Sequence, residues 1–115
     1  MSLFKWGYGK HDTGYRAFTL VYSKLLNLDC YIIKYKQGAS IPKHKDAVKD
    51  GRHYRLNWEF WKAENGGEFR CKTIWSLFGR VHFFRPDLEY HEVSEVTKGT
   101  RYILSIGKTL KNKGN

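Results

Sequence analysis

The sequence has few of the residues that would cross-link, stiffen or anchor it. Its 115 residues include only two cysteines, two prolines and one methionine, too few for a disulfide scaffold or a proline-rich linker. No apolar run approaches the roughly 18 residues of a membrane-spanning helix, and the first residues lack the apolar stretch of a secretory signal. These absences predict a cytoplasmic protein without membrane contact and favour reduced thiols at Cys30 and Cys71.

Acidic residues are also scarce. Lysine and arginine number 21 against 11 acids, which gives a formal net charge of +10 at pH 7. Such an excess attracts polyanions and speeds their association, although it also serves solubility alone. The lysines concentrate in one central and one C-terminal group, namely Lys34, Lys36, Lys43, Lys45 and Lys49, and Lys108, Lys111 and Lys113.

What the sequence does contain is enough apolar and aromatic material to bury a core. Hydrophobic residues make up 41% of the chain and aromatic residues 17%, so intrinsic disorder is excluded despite the charge. The length predicts one compact domain over residues 1–115, with a short flexible tail from Lys108 to Asn115.

Short runs of β-branched and aromatic residues, separated by glycine, asparagine and aspartate, predict a mainly β fold with at most one or two short helices. The predicted strands are Tyr15–Tyr22, Cys30–Tyr35, Tyr54–Trp61, Glu68–Lys72, Val81–Phe84, His91–Val96 and Arg101–Ile106, with shorter ones in Phe4–Tyr8 and Thr73–Leu77. Thr19–Leu28 is also compatible with a helix, because its leucines do not alternate. Seven to nine short strands indicate a sandwich, a barrel or a jelly roll.

Side chains of opposite character alternate along Tyr54–Trp61. Its two faces carry Leu56, Trp58 and Phe60, and Arg55, Asn57 and Glu59. An inward Arg55 could contact substrate or co-substrate, whereas an outward Arg55 would be an ordinary surface charge. The sequence leaves both open.

The tripeptide His44-Lys45-Asp46 is the most informative one in the chain. In an extended segment, residues i and i+2 point to one side, about 6.6 Å apart, so this imidazole and carboxylate can converge on one metal ion. Two histidines and one carboxylate form the facial site of non-haem Fe(II) oxygenases. Taken alone, the tripeptide favours a charged loop after a strand, because the motif is short and common. The candidates for a third ligand are His11, His53, His82 and His91.

Further motifs flank this tripeptide in a fixed order. They are Tyr35-Lys36-Gln37-Gly38, Arg55-Leu56-Asn57-Trp58, Asn65-Gly66-Gly67-Glu68, Gly79-Arg80-Val81-His82-Phe83-Phe84, His91-Glu92-Val93 and Gly99-Thr100-Arg101-Tyr102. Together they resemble the prolyl-4-hydroxylase-like 2-oxoglutarate/Fe(II) dioxygenases from Cys30 to Lys108. The resemblance implies a double-stranded β-helix, or jelly roll.

The resemblance also implies roles for individual residues. His44, Asp46 and His91 would hold Fe(II), and Arg101 would pair with the distal carboxylate of 2-oxoglutarate. Tyr35 could donate its hydroxyl to the same carboxylate, or it could only pack. Dioxygen would be the second co-substrate, and ascorbate could stimulate turnover.

The implied reaction is hydroxylation of a macromolecule with release of succinate and carbon dioxide. A peptide or protein, prolyl or otherwise, and a nucleic acid are both open as substrates, and the oligomeric state is open. A second interpretation is a non-catalytic basic β-barrel module that binds nucleic acid or another polyanion. A cupin-like site with another metal is a third.

The remaining histidines have simpler interpretations. His82 lies among large apolar neighbours and is expected to be structural or exposed. His53 follows a turn signal and is expected in a solvated loop, from which it could still line the mouth of the site. His11 has no partner at i+2.

Overall fold

The computed structural model describes residues 6–8, 14–48 and 51–111. These residues form twelve strands, and no helix occurs among them. No described segment is therefore a helix that could cross a bilayer. The strands are β1 (Trp6–Tyr8), β2 (Tyr15–Ser23), β3 (Leu28–Tyr35), β4 (Ile41–His44), β5 (Arg52–Trp61), β6 (Asn65–Gly66), β7 (Phe69–Cys71), β8 (Trp75–Leu77), β9 (Val81–Phe84), β10 (His91–Val93), β11 (Val96–Lys98) and β12 (Arg101–Leu110).

The strands form a jelly roll. Seven of them make one sheet in the order β1-β2-β3-β12-β5-β9-β8, three make a second in the order β4-β10-β7, and β11 pairs with β6. From β3 onward the chain passes repeatedly between the large and the small sheet, and its strand pairs are antiparallel. This winding is that of a double-stranded β-helix, so the predicted mainly β fold class is confirmed.

Both sheets contribute to a small core. Tyr15, Ile33 and Ile103 extend from the large sheet and Val93 from the small one, and all four are buried. Phe84 on β9 is almost completely buried as well. Because the inner faces meet through these side chains, the remaining inward positions can line a cavity between the sheets.

The inner face of β5 is polar and its outer face is aromatic. Arg55 and Glu59 are buried, whereas Trp58 and Phe60 are exposed. On β12, the buried Ser105 lies opposite Asn57 of β5 in the register. The structure thus places Arg55 inward, and it concentrates hydrogen-bonding groups inside the double-stranded β-helix.

Several boundaries differ from the sequence prediction. Thr19–Leu28 is not a helix: β2 continues to Ser23, and the chain turns through Asn27, whose φ is 51°. The strand β4 was not predicted, because a proline and lysines hide its short apolar pattern. The first three residues of the predicted flexible tail belong to β12, while residues 112–115, and residues 4 and 5 of the first predicted strand, lie outside the described part of the chain.

The two cysteines are free thiols, as the sequence favoured. Both are half-buried rather than fully enclosed. Burial raises the pKa of the Cys71 thiol to about 11, with a further contribution from the charge of Glu89. This thiol is therefore protonated and unreactive at neutral pH.

Candidate metal centre

A cavity of about 280 Å³ lies between the two sheets. Its walls come from strands of both sheets and from the segment that follows β4. The polar side chains lining it that bear on function are Tyr35, His44, Asp46, Arg55, His91 and Arg101. The structure therefore brings all five sequence-predicted site residues to one cavity, together with Arg55.

Asp46 lies between two imidazoles. Its Oδ1 is 3.3 Å from Nε2 of His44, and its Oδ2 is 3.3 Å from Nε2 of His91. The candidate ligand atoms of the three residues all lie within 4.8 Å of one another. Two imidazole nitrogens and one carboxylate oxygen at this spacing form a donor set that suits Fe(II) and related divalent ions.

The pairing of β4 with β10 brings the two histidines together. His44 and His91 are directly opposite in the register of this pair, and their ring centroids are 4.2 Å apart. His91 is buried and His44 is half-buried. Two strands far apart in sequence thus deliver the two nitrogen donors.

A backbone hydrogen bond positions the third donor. The chain leaves β4 after His44, so the strand itself does not hold Asp46. Instead, the Asp46 backbone N–H donates to the carbonyl of Pro86 at 2.7 Å, and Pro86 is itself almost completely buried. The carboxylate therefore lies between the imidazoles because the carbonyl of the buried Pro86 holds its backbone.

Each imidazole is also oriented by a carbonyl two residues before it. His44 Nδ1 lies 2.7 Å from the Pro42 carbonyl oxygen, and His91 Nδ1 lies 3.1 Å from that of Glu89. A carbonyl can only accept, so Nδ1 carries the proton and donates in both rings. Nε2 of each ring then faces the Asp46 carboxylate, which is the orientation of histidines that bind metal through Nε2.

Tyr35 and Arg101 form the second part of the predicted site. They are opposite one another across β3 and β12, and the Arg101 guanidinium carbon lies 4.7 Å from the centroid of the Tyr35 ring. Burial raises the pKa of Tyr35 to about 12, although the nearby charge of Arg101 opposes this rise. The Tyr35 hydroxyl therefore keeps its proton at neutral pH and can donate a hydrogen bond.

Arg101 has one acidic partner and one unpaired donor. Its Nε donates to Glu59 Oε2 at 2.5 Å. Its Nη1 is buried and has no hydrogen-bond partner among the described residues, although burying an unpaired donor costs about 1–3 kcal/mol. A ligand carboxylate would satisfy this donor, so the observed geometry suits an acidic co-substrate.

Arg55, in contrast, has several protein partners. Its Nη1 donates to Ser105 Oγ at 2.6 Å and its Nη2 to Asp29 Oδ1 at 2.7 Å. The guanidinium also lies 5.0 Å from the centroid of the Tyr31 ring. These contacts make Arg55 a part of the framework around the cavity.

The other histidines lie apart from the metal-ligand group. His53 is the second residue of β5 rather than a loop residue, and it lines the cavity beside Arg55. His82 packs against Phe69 with ring centroids 4.9 Å apart, while His11 lies outside the described residues. Among the described side chains, His44, Asp46 and His91 form the one group of three able to hold a metal.

Basic residues flank the metal-ligand group. Lys43 and Lys45 lie on either side of His44, with their Nζ atoms 5.6 Å and 4.4 Å from the centroid of the Tyr90 ring. Lys49 of the same group falls outside the described residues. Two cations and an exposed aromatic ring therefore lie next to the candidate ligands.

A sequence model of the 2OG-Fe(II) oxygenase superfamily matches residues 30–106. No curated protein matches the chain. The matched segment runs from β3 into β12 and therefore contains the whole candidate site.

Solved structures show the same fold. A Pseudomonas putida prolyl-4-hydroxylase is 22% identical at a TM-score of 0.55, and the match covers 72% of this chain and 49% of that one. The cupin domain of Schizosaccharomyces pombe Cnp3 is 11% identical at a TM-score of 0.58, with 84% and 65% covered. An RmlC-like cupin from Ralstonia eutropha is 13% identical at a TM-score of 0.61, with 96% and 69% covered. This chain thus spans about half the length of the hydroxylase and about two thirds of each cupin.

Proposed function

Because the chain belongs to the 2OG-Fe(II) oxygenase superfamily, we propose that it is an Fe(II)- and 2-oxoglutarate-dependent dioxygenase that hydroxylates a macromolecular substrate. The observation that carries this proposal is the convergence of His44, Asp46 and His91 within 4.8 Å in one cavity. Arg101 lines the same cavity with an unpaired, buried donor. One site therefore offers both a metal-ligand set and a carboxylate partner.

The three ligands have distinct roles. His44 and His91 would each offer Nε2, because both Nδ1 protons are bound to carbonyls. The Asp46 carboxylate would neutralise part of the metal charge. When bound, iron and 2-oxoglutarate supply the oxidising chemistry, with dioxygen consumed and succinate and carbon dioxide released.

Arg101 and Tyr35 would bind the co-substrate. The buried Nη1 of Arg101 would pair with the distal carboxylate of 2-oxoglutarate, as a charge-assisted hydrogen bond. The Tyr35 hydroxyl, protonated at neutral pH, would donate a second hydrogen bond. The buried aromatic pair of Tyr15 and Tyr35, with ring centroids 5.7 Å apart, excludes water around these contacts.

The substrate we propose is an anionic macromolecule. Support comes from the net charge of +10 and from Lys43 and Lys45 beside the metal-ligand group. A basic rim attracts acidic peptides and nucleic acids alike, and it makes their binding dependent on salt. The family resemblance favours a peptide, and the charge favours a nucleic acid.

Anaerobic titration with Fe(II) and 2-oxoglutarate tests the site. We expect a weak visible charge-transfer band that requires both additions, persists in His82→Ala and disappears in His91→Ala. His82 is the matched control, since it is a histidine of the same fold that lies outside the metal-ligand group. A band that survives His91→Ala would refute the ligand assignment.

Substrate class is tested next by succinate release. Acidic peptides and single- or double-stranded nucleic acids are compared at low and high salt, with Lys43→Gln/Lys45→Gln as the variant that lacks the rim charges. Increased succinate release with one class, lowered by salt and by the variant, identifies the substrate. If no charge-transfer band forms in the folded protein, the non-catalytic polyanion-binding module becomes the better proposal.

A further inference from the structure

We propose that Glu59 competes with 2-oxoglutarate for Arg101 and thereby sets a low co-substrate affinity, an inference that rests on the proposed function. Glu59 is buried on the inner face of β5. Its Oε2 accepts from Arg101 Nε at 2.5 Å. The protein thus already presents a carboxylate to the cation that would bind the distal carboxylate of the ligand.

The register of β5 and β12 creates this contact. Glu59 is opposite Ile103, while the neighbouring pair is Tyr102 with Trp61, so the register shifts between these two positions. Arg101 and Ile103 both point inward, since side chains two apart on a strand share a face. Because Glu59 is opposite Ile103, it is a diagonal neighbour of Arg101 on that face.

A second arginine shares Glu59. Arg80 Nε lies 3.8 Å from Glu59 Oε1, whereas Arg101 Nε contacts Oε2. The Arg80 side chain is 46% exposed, so water weakens its attraction for Glu59. Arg80 therefore balances only part of the Glu59 charge.

The net charge around the ligand decides the affinity. Arg101 and Glu59 together are neutral, and both are buried. A distal carboxylate at Arg101 Nη1 would therefore meet a donor whose charge Glu59 already offsets, with little water to screen the two carboxylates from one another. Glu59 weakens ligand binding by this repulsion, and Arg80 reduces the repulsion by holding the other oxygen.

The direct test is Glu59→Gln, whose amide oxygen can still accept from Arg101 Nε while the negative charge is removed. We measure the apparent Kd of 2-oxoglutarate in the presence of Fe(II) from the charge-transfer band. The Kd is expected to fall by about tenfold. The control is Glu64→Gln. Glu64 is an exposed acid between β5 and β6 that pairs with Lys98, and its substitution should leave the Kd unchanged.

Two further measurements separate competition from a structural effect. Arg80→Gln, a change at a half-exposed side chain, should raise the Kd of 2-oxoglutarate several-fold, because Glu59 then loses its second cation. With 2-oxobutyrate, which has the same 2-oxo acid group but no distal carboxylate, the Kd of Glu59→Gln should equal that of the wild type.

The outcomes are distinguishable. Equal or weaker 2-oxoglutarate binding by a folded Glu59→Gln, or unchanged binding by Arg80→Gln, overturns the competition while leaving the proposed function intact. A fall in Kd for 2-oxobutyrate as large as that for 2-oxoglutarate also overturns it, since the effect would not act through the distal carboxylate. If no variant and no wild-type protein forms the band, both proposals are wrong.

Discussion

Arg55 and Arg101 are both buried arginines that face the cavity from the large sheet, and each pairs with an acid. They differ in the rest of their contacts. Arg55 also donates to Ser105, whereas Arg101 retains a buried Nη1 without a partner among the described residues. Each guanidinium also lies over a tyrosine ring, so the contrast lies in the hydrogen bonds.

The difference indicates that Arg55 and Arg101 have different roles. A fully paired buried arginine has its desolvation cost offset within the protein, so its contribution is to the stability of the fold. A buried arginine with one unpaired N–H donor carries a desolvation cost. A ligand that accepts a hydrogen bond from this donor removes the cost when it binds. The comparison predicts that losing Arg55 harms stability alone, whereas losing Arg101, which also breaks the buried pair with Glu59, harms co-substrate affinity as well.

The largest effect, on stability, is expected from Arg55→Leu, because it leaves Asp29 without its guanidinium partner. We expect the free energy of unfolding to fall by about 3 kcal/mol, near the lower end for a broken buried pair, since Asp29 is partly exposed. Urea unfolding measures this. The double variant Arg55→Leu/Asp29→Asn should regain part of the loss, and no recovery would mean that the Ser105 and Tyr31 contacts dominate.

The second-largest effect is expected at Arg101 and concerns the affinity for 2-oxoglutarate. Arg101→Leu should raise the Kd of 2-oxoglutarate by about 10- to 100-fold, the range for one charge-assisted hydrogen bond of about 1.5–3 kcal/mol. Arg55→Leu, assayed at a temperature where it is folded, should bind 2-oxoglutarate within a few-fold of wild type. Similar losses of affinity in both variants would abolish the distinction.

A smaller effect is expected from Tyr35→Phe. This substitution removes one hydroxyl and keeps the ring contacts with Arg101 and Tyr15. If the hydroxyl donates to the distal carboxylate, the Kd of 2-oxoglutarate should rise about fivefold, as for a neutral hydrogen bond worth about 1 kcal/mol. An unchanged Kd would assign Tyr35 to packing alone, with Tyr15→Phe as the matched control.

The smallest expected effect is a pH dependence of stability, to which one histidine near each arginine contributes. Burial lowers the pKa of His53, with Arg55 adding to the shift, and burial lowers the pKa of His82, with Arg101 adding to it. In the unfolded chain both histidines have a pKa near 6.5 and so take up protons first. Stability contributed by the neutral rings is therefore full above pH 6.5 and is lost as the pH falls through the lowered folded values.

Urea unfolding between pH 7.5 and pH 5 measures this loss. Stability should decrease toward pH 5 in the wild type and decrease less steeply in His53→Gln and in His82→Gln. Equal slopes in the three proteins would show that neither histidine is held neutral by its surroundings.

The sequence predicted much of the fold and indicated the site. Alternating strands and glycine-rich turns sufficed for the mainly β class, and His44-Lys45-Asp46 supplied two of the three grouped side chains. Choosing His91 among four histidines required the family resemblance. In the structure that choice depends on the pairing of β4 with β10, which no local pattern determines.

The contacts of Arg101 could not be predicted. Glu59 is 42 residues away in sequence, and the pairing of Glu59 with Ile103 across β5 and β12 brings it next to Arg101. Alternation placed Glu59 on the same strand face as Arg55, but a strand pattern contains no information about register with a distant partner. Likewise, the carbonyls that orient the imidazoles are backbone groups, which every residue type provides.

The fixed orientation of the two imidazoles has a thermodynamic consequence. His44 and His91 are held by carbonyls of their own segments, so their rotamer entropy is lost on folding and not when a metal arrives. A divalent ion then binds a preorganised group of three ligands, and its binding free energy adds to the stability of the folded state. This added stability grows with the logarithm of the metal concentration. The melting temperature should therefore rise steadily with added Fe(II), and His91→Ala should remove that rise.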